Sequence, residues 1–437
     1  MSIKQEATEL LRERYTRILL NYAQQLAEQM SDPTVSAAQA EKGLAQAVRQ
    51  MGAELLCEGL SVRCGSHTGP RECRCGAVME HEGRRGRRVV TVLGSGIYRR
   101  AYYRCPACHA TYYAGDKQLG IEQTGYTLPA QELVCLSSAE LPFDSACEHL
   151  VRLTGIDVSP KQCQRISHLW GKELESEQAA EREALMAGHL EYLVAQGSGT
   201  RRYVTLDATK THFTDGWHET RVGAVYDVTQ NHRGEDTPAL TTYVAGVREP
   251  VGEFAERLYQ EGCRRGCDRA AELIVVADGA PWIWNLVQEY FPGAREVLDY
   301  YHAAERLYTV AQAVYGEKSK EGLQWAQDGC GLLLESELEA VLSRLRALAP
   351  GSEAGREAVR LAIGYYETNR GRMGYKELLA GGYHIGSGVV EAGCKLVVGL
   401  RCKRPGMNWT QPGAQQILAL RCSLLSGRWD EHWERAA

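Results

Sequence analysis

Three acidic residues in this 437-residue chain stand where the sequence pattern changes. Asp207 closes the apolar run Tyr203–Leu206, and Asp278 closes Leu273–Ala277. Glu391 follows Gly386, Ser387 and Gly388 at the head of an apolar, helical stretch. Taken singly, each reads as a surface or turn residue, and Asp278-Gly279 has the form of a tight turn. Taken together they have a chemistry. Carboxylates brought close repel and raise one another's pKa values unless cations hold them. Hard Mg²⁺ or Mn²⁺ suits such an all-oxygen set. Two ions about 4 Å apart would activate a water or a DNA 3′-hydroxyl on one side of a phosphodiester and stabilise the leaving oxygen on the other. The protein needs no covalent nucleophile for this.

A softer set of ligands lies earlier. Cys73-Arg74-Cys75-Gly76 and Cys105-Pro106-Ala107-Cys108 bracket an expected hairpin, with strands Val89–Leu93 and Ile97–Tyr103 joined by Gly94, Ser95 and Gly96. Two knuckles at the ends of paired strands are the layout of a zinc ribbon, in which four thiolates complete a tetrahedral Zn²⁺ shell. The one-residue spacer of the first knuckle is tight, so Cys57, Cys64 and His67 stay open as substitutes. Between the knuckles are Arg84, Arg85, Arg87, Arg88, Arg99, Arg100 and Arg104, with no acidic residue from Arg84 to Arg104 and five tyrosines in or near the segment. Uncompensated arginine beside aromatics favours contact with phosphate.

The elements that would position these groups follow from periodicity. Residues 1–56 read as two helices broken at Asp32-Pro33. Residues 57–116 are the ribbon-like module. Residues 117–195 are helical: Phe143–Thr154, a short turn with Gly155, then Ser159–Trp170 have the form of a helix-turn-helix, with Ser159 as N-cap and Pro160 at the first helical position. Lys161 and Arg165 lie near the start of the second helix, although an αα-corner would look similar. A charged helix, Glu173–Leu193, continues from it. Residues 196–302 read as three successive strands, a helix, then strands alternating with helices, the order of an RNase H-like domain. Residues 303–380 form a helical block without strand signals. Residues 381–437 return with Glu391, Lys395 one turn later, a basic and aromatic segment (Arg401, Lys403, Arg404, Trp409) and a final helix. The expected fold class is multidomain α+β, an RNase H-like core with an all-α insertion behind a helical N-terminus, a zinc-ribbon-like module and a helix-turn-helix.

Composition is that of an ordinary globular protein, 44% hydrophobic and 24% charged. No apolar run approaches the roughly 18 residues of a membrane span. The charged N-terminus lacks the core of a secretory signal. Fifteen cysteines without such a signal point to a reducing, cytoplasmic compartment rather than to a disulfide framework. A net charge of −5 argues against a uniformly basic coat and leaves room for basic patches.

Several stretches also carry a family likeness. They are Leu206-Asp207-Ala208-Thr209, Ala277–Asn285, Asp299-Tyr300-Tyr301-His302-Ala303, Gly386–Lys395 and Ile417–Cys422. With them the chain resembles bacterial insertion-sequence transposases of the ISKra group, related to the Mutator-like DDE transposases. Two departures are Ala208 where the family has Gly, and the short first knuckle. The resemblance implies that Asp207, Asp278 and Glu391 are the catalytic triad, binding Mg²⁺ or Mn²⁺. It places Asp299 and His302 near the scissile phosphate, with Lys395 in support. It implies a nucleoid-associated bacterial enzyme acting on terminal-repeat and target DNA, and a homo-oligomer once the ends are paired. The rival expectations are a decayed DNA-binding regulator and an RNase H-like nuclease without strand transfer.

Overall fold

The helical periodicity at the start of the chain forms α1 (Ile3–Ser31) and α2 (Ala37–Gly65). Asp32 turns the chain between them by accepting from the backbone N–H and hydroxyl of Thr34. The structure, a computed structural model, describes residues 3–65, 69–192, 201–230 and 236–436. It divides into two units, Met1–Trp170 with Trp433–Ala437, and Gly171–His432. Among the described residues, no helix is long and apolar enough to cross a membrane.

The first unit carries an antiparallel sheet in the order β1-β2-β3-β4, from Arg71–Glu72, Val78–Thr91, Gly94–Arg104 and Thr111–Tyr113. The hairpin is longer than its apolar pattern, and its turn lies at Val92-Leu93, since Thr91 pairs with Gly94. Gly96 therefore belongs to β3 and not to the turn. A Cβ there would stand 2.5 Å from Cys57 Sγ and 3.1 Å from the Ala53 carbonyl, so this glycine lets α2 lie directly on the strand. Helices α3 (Leu128–Glu140), α4 (Phe143–Thr154) and α5 (Pro160–Met186) follow. Gly155, at φ 75°, ends α4, and Ser159 Oγ accepts from Gln162 N at 3.3 Å to begin α5. Ile156 and Val158 of the turn are buried, as the corner between two packed helices requires, whether helix-turn-helix or αα-corner.

The second unit holds a five-stranded sheet in the order β7-β6-β5-β8-β9. Strands β5 (Arg201–Phe213), β6 (Gly216–Gln230) and β7 (Asp236–Val247) are antiparallel. Helix α6 (Val251–Arg264) crosses to β8 (Glu272–Ala277), which runs parallel to β5; α7 (Pro281–Tyr290) leads to β9 (Arg295–Leu298), parallel to β8. Then come α8 (Tyr300–Tyr315), α9 (Lys320–Leu334), α10 (Leu338–Arg346), α11 (Glu353–Thr368) and α12 (Tyr375–Ala380). Next is α13 (Gly388–Gly393), which widens into a π-helical turn (Cys394–Gly399) and closes with α14 (Leu400–Cys402). Helices α15 (Gln411–Leu425) and α16 (Trp429–Ala436) end the chain. The helical block shares the core of the sheet: Val276, Val297 and Leu298 cluster with Leu307, Ala362, Tyr366 and Tyr375.

A buried ion cluster fastens α6. Glu261, 1% exposed, meets Arg428 at 2.6 Å and Arg264 at 3.6 Å. Burial would raise its pKa, but the two guanidinium groups outweigh it and hold the carboxyl below its usual value. Its contribution to stability is thus present above the usual carboxylate range and lost as pH falls through the lower native value. Glu261→Gln is expected to lower unfolding free energy by about 3 kcal/mol at neutral pH. Urea titrations at several pH values should show the gap to wild type closing in acid.

Candidate active site

Strand β5 is longer than its apolar run, so Asp207 lies within it rather than at its end. Parallel pairing with β8 stops at Thr205 opposite Val276, while antiparallel pairing with β6 continues to Phe213. Asp207 is two residues beyond Thr205 and Asp278 two residues beyond Val276, which sets both carboxylates at one level past the mouth of β8. Asp207 Oδ1 accepts from Ala208 N at 2.6 Å. Burial raises its pKa, and the like charges of Asp278 and Glu391 raise it further.

Asp278 closes an Asx turn through its own side chain. Its Oδ1 accepts from Ala280 N at 3.0 Å, and its carbonyl accepts from the Tyr365 hydroxyl at 2.9 Å. Gly279 has φ 92°, and a Cβ would come within 2.7 Å of Leu298 Cδ1. Gly279→Ala is expected to lower stability by about 2 kcal/mol and to misplace Asp278. Denaturant melts alongside a divalent-cation titration would check both. The tryptophans that follow are anchors: Trp284 is buried under the Arg372 guanidinium, and half-buried Trp282 lies under that of Arg221.

Glu391 arrives from far along the chain. Helix α13 lies against the sheet through Gly393, where a Cβ would be 3.0 Å from Tyr243 and 3.5 Å from Val222, the cross-strand partner of Asp207. The expected unbroken helix is interrupted by the π turn, whose Leu396 carbonyl accepts from buried Arg421 Nε at 2.6 Å. The Cys394 thiol sits 3.9 Å from Asp207 Oδ2, and burial and that carboxylate push it up to about 12. Lys395 is exposed, and Lys403 donates to Thr209 Oγ1, two residues past Asp207.

Asp299 caps α8. It is fully buried and accepts from Tyr301 N and His302 N, and from the backbone and hydroxyl of Ser387. Its pKa, which burial would raise, is held down by these donors and by His302. His302 Nδ1 lies 3.4 Å from Asp299 Oδ2, and this pairing, with the charges of Asp278 and Glu391, lifts the imidazole to about 9 against its own burial. Ligand atoms of Asp299, His302 and Glu391 all lie within 4.8 Å of one another, a set that could hold a metal ion.

The four ribbon cysteines form a second such set. Cys73 and Cys75 sit in the loop between β1 and β2, turned by Gly76 at φ 86°; Cys105 and Cys108 sit between β3 and β4. Cys73 Sγ is 3.5 Å from Cys108 Sγ, and Cys75 Sγ is 3.5 Å from Cys105 Sγ. Thiolates about 2.3 Å from a central ion would stand about 3.8 Å apart, so the spacing fits and the one-residue spacer suffices. Cys108 N donates to Cys105 Sγ and lowers that thiol's pKa. Cys57 is instead buried beneath β3, where burial and Glu58 push it up to about 11. His67 and the Cys64 side chain lie outside the described residues.

The cationic candidates divide. Arg84, Arg85, Arg88 and Arg99 are exposed on the hairpin, and Lys161, Arg165, Lys403 and Arg404 are exposed elsewhere. Arg165 already donates to the Gln123 carbonyl. Three expectations need correction. Arg100 is buried, 2.8 Å from Asp116 and stacked on Tyr113, and Arg87 meets the same carboxylate at 2.8 Å. The compensating acid stands twelve residues past the arginine segment, in a turn after β4. Arg401, 1% exposed, packs over Trp409, so neither it nor Arg100 faces solvent as a phosphate contact would, and Arg87, half-buried, is already taken by its ion pair.

No protein-family model matches the chain, and no curated protein matches it. Among solved structures, the Drosophila P element transposase strand transfer complex aligns over 74% of this chain and 84% of that chain, at 10% identity and a TM-score of 0.25. So low a score leaves fold and function to be argued from the residues.

Proposed function

We propose that the chain is a DDE-type transposase, cleaving DNA at the ends of an insertion sequence and joining the freed 3′-hydroxyl to target DNA. The observation that carries the reading is positional: Asp207 and Asp278 each stand two residues past the last paired residues of neighbouring strands β5 and β8, and α13, which carries Glu391, packs on the same sheet beside Val222, the cross-strand partner of Asp207. The strand order, three antiparallel strands with two more parallel to the first, supports an RNase H-like reading of the second unit.

Asp207, Asp278 and Glu391 would hold Mg²⁺ or Mn²⁺; their hard oxygens and mutual repulsion fit a cation at this place. When bound, the ions supply Lewis-acid activation of the attacking hydroxyl and neutralise the leaving oxygen. The chain's own groups do the rest. His302, raised above its ordinary value chiefly by Asp299, would turn its other ring nitrogen to a phosphate oxygen as a donor. Lys403, held beside β5 by Thr209, offers a second cation at the same mouth. In the first unit, Cys73, Cys75, Cys105 and Cys108 would hold a structural Zn²⁺. Arg84, Arg85, Arg88 and Arg99 then face backbone phosphates, and Lys161 and Arg165 open the helix that reads the terminal repeat.

The test incubates protein, Mg²⁺ and DNA carrying the ends of its own genomic element with a target plasmid. A joined product supports transposition. Nicking without joining would make it an RNase H-like nuclease, and end binding without nicking a DNA-binding regulator.

A further inference from the structure

Asp299 belongs to a set that could hold a metal ion, yet its oxygens are already taken. Oδ1 accepts from Tyr301 N at 2.6 Å and His302 N at 3.1 Å. Oδ2 accepts from Ser387 N at 2.6 Å and from the Ser387 hydroxyl, and faces His302 Nδ1. A metal could take this carboxylate only by displacing donors that have no water to turn to, because the side chain is fully buried.

The bonds around it lead to both ends of the proposed site. Asp299 N donates to the Ala277 carbonyl at 2.7 Å, immediately before Asp278. Tyr300 N donates to the Ile385 carbonyl at 2.8 Å, which brings in the segment before α13. The Ser387 carbonyl in turn accepts from Val390 N at 2.9 Å and from Glu391 N at 3.3 Å. The Asp299 carboxylate thus ties the start of α8 to Ser387 at the head of α13, and the backbone of the same residue joins them to the end of β8.

We infer that Asp299 is a positioning residue rather than a metal ligand: through Ser387 it fixes where the Glu391 carboxylate stands relative to Asp278. This rests on the transposase reading of the site. Partners that orient a ligand in this way contribute to metal affinity without touching the metal.

Ser387→Ala removes the hydroxyl donor and keeps the backbone. It is expected to melt within a few degrees of wild type while weakening Mn²⁺ binding, measured by calorimetry, roughly tenfold. Ser387→Thr should restore the affinity. Cysteine scanning separates ligand from support, since a thiolate ligand prefers softer cations. Asp278→Cys should regain cleavage when Cd²⁺ replaces Mg²⁺, and Asp299→Cys should not. Cd²⁺ rescue of Asp299→Cys, or wild-type Mn²⁺ affinity in Ser387→Ala, would overturn the inference. If wild-type protein shows no cleavage at all, the transposase reading fails by itself, and the calorimetric comparison still decides the role of Asp299 and Ser387.

Discussion

Asp278→Ala loses metal-dependent nicking of element-end DNA by roughly 10³-fold and still folds: that is the expected result with the largest effect on activity. A carboxylate ligand contributes several kcal/mol of transition-state charge stabilisation through the metal it holds, and each 1.36 kcal/mol is about tenfold in rate. The structural role of the same side chain is small. It accepts one hydrogen bond, from Ala280 N, near the start of α7. Losing that bond costs about 1 kcal/mol, as for a helix cap, or a few degrees of melting temperature. Asp278→Asn sharpens the comparison, because its amide oxygen can keep the Ala280 bond while the charge is gone. Nicking gels at a range of Mg²⁺ concentrations, with melts alongside, read both quantities. Equal cleavage by wild type and either variant would remove the carboxylate triad from the mechanism.

The second large effect concerns the ribbon. Stripping metal with a chelator, or replacing Cys105 with Ser, is expected to unfold residues 69–116 and abolish binding to element-end DNA. Apart from α2 against β3 and the pairing of Arg87 and Arg100 with Asp116, which hold the far end of the hairpin, the knuckle end has little else to hold it. Strands β1 and β4 contain two and three residues, and the local core is Met79, Ala101, Tyr103, Cys105 and Ala114. Structural zinc supplies an apparent ~10–16 kcal/mol in small modules of this kind, more than such a core can replace. Elemental analysis should give one zinc per chain. Limited trypsin digestion should cut at the hairpin arginines only after chelation. Loss of the steep salt dependence of DNA binding would follow from losing Arg84, Arg85, Arg88 and Arg99 as an organised surface. A ribbon that resists trypsin with its zinc removed would refute the assignment.

Much of this architecture was legible because its signals are local. The apolar run Leu273–Ala277, the Asp-Gly turn and Pro281 each report a neighbour a few residues away, and β8 and α7 form where they predict. The four cysteines came together despite an unusual spacer, since a turn with glycine at positive φ absorbs the missing residue. What failed to show in the sequence depends on long-range packing. Gly94, Ser95 and Gly96 look like a turn, but Gly96 serves α2, forty-odd residues earlier. Arg100 and Arg401 look like phosphate ligands because nothing nearby opposes them. Their partners, Asp116 and Trp409, become visible only when strands and helices are assembled. Asp207 was placed at a strand end since its apolar run stops there; pairing with β6 carries the strand on through polar residues. The π turn and the Arg421 bond to Leu396 leave no periodic mark that distinguishes them from an ordinary helix.

The tie between Asp299 and Ser387 spans 88 residues, and it sets a clock on biosynthesis. At about 5–20 residues per second, a ribosome needs roughly 4–18 s to make the stretch between them. Through that interval β5 and β8 can pair and present Asp207 and Asp278, but Glu391 has not yet been made. On the proposed reading, a nascent chain is inert toward DNA until Ser387 and Glu391 have emerged and docked, so a product truncated before Ser387 is expected to bind element ends without cutting them.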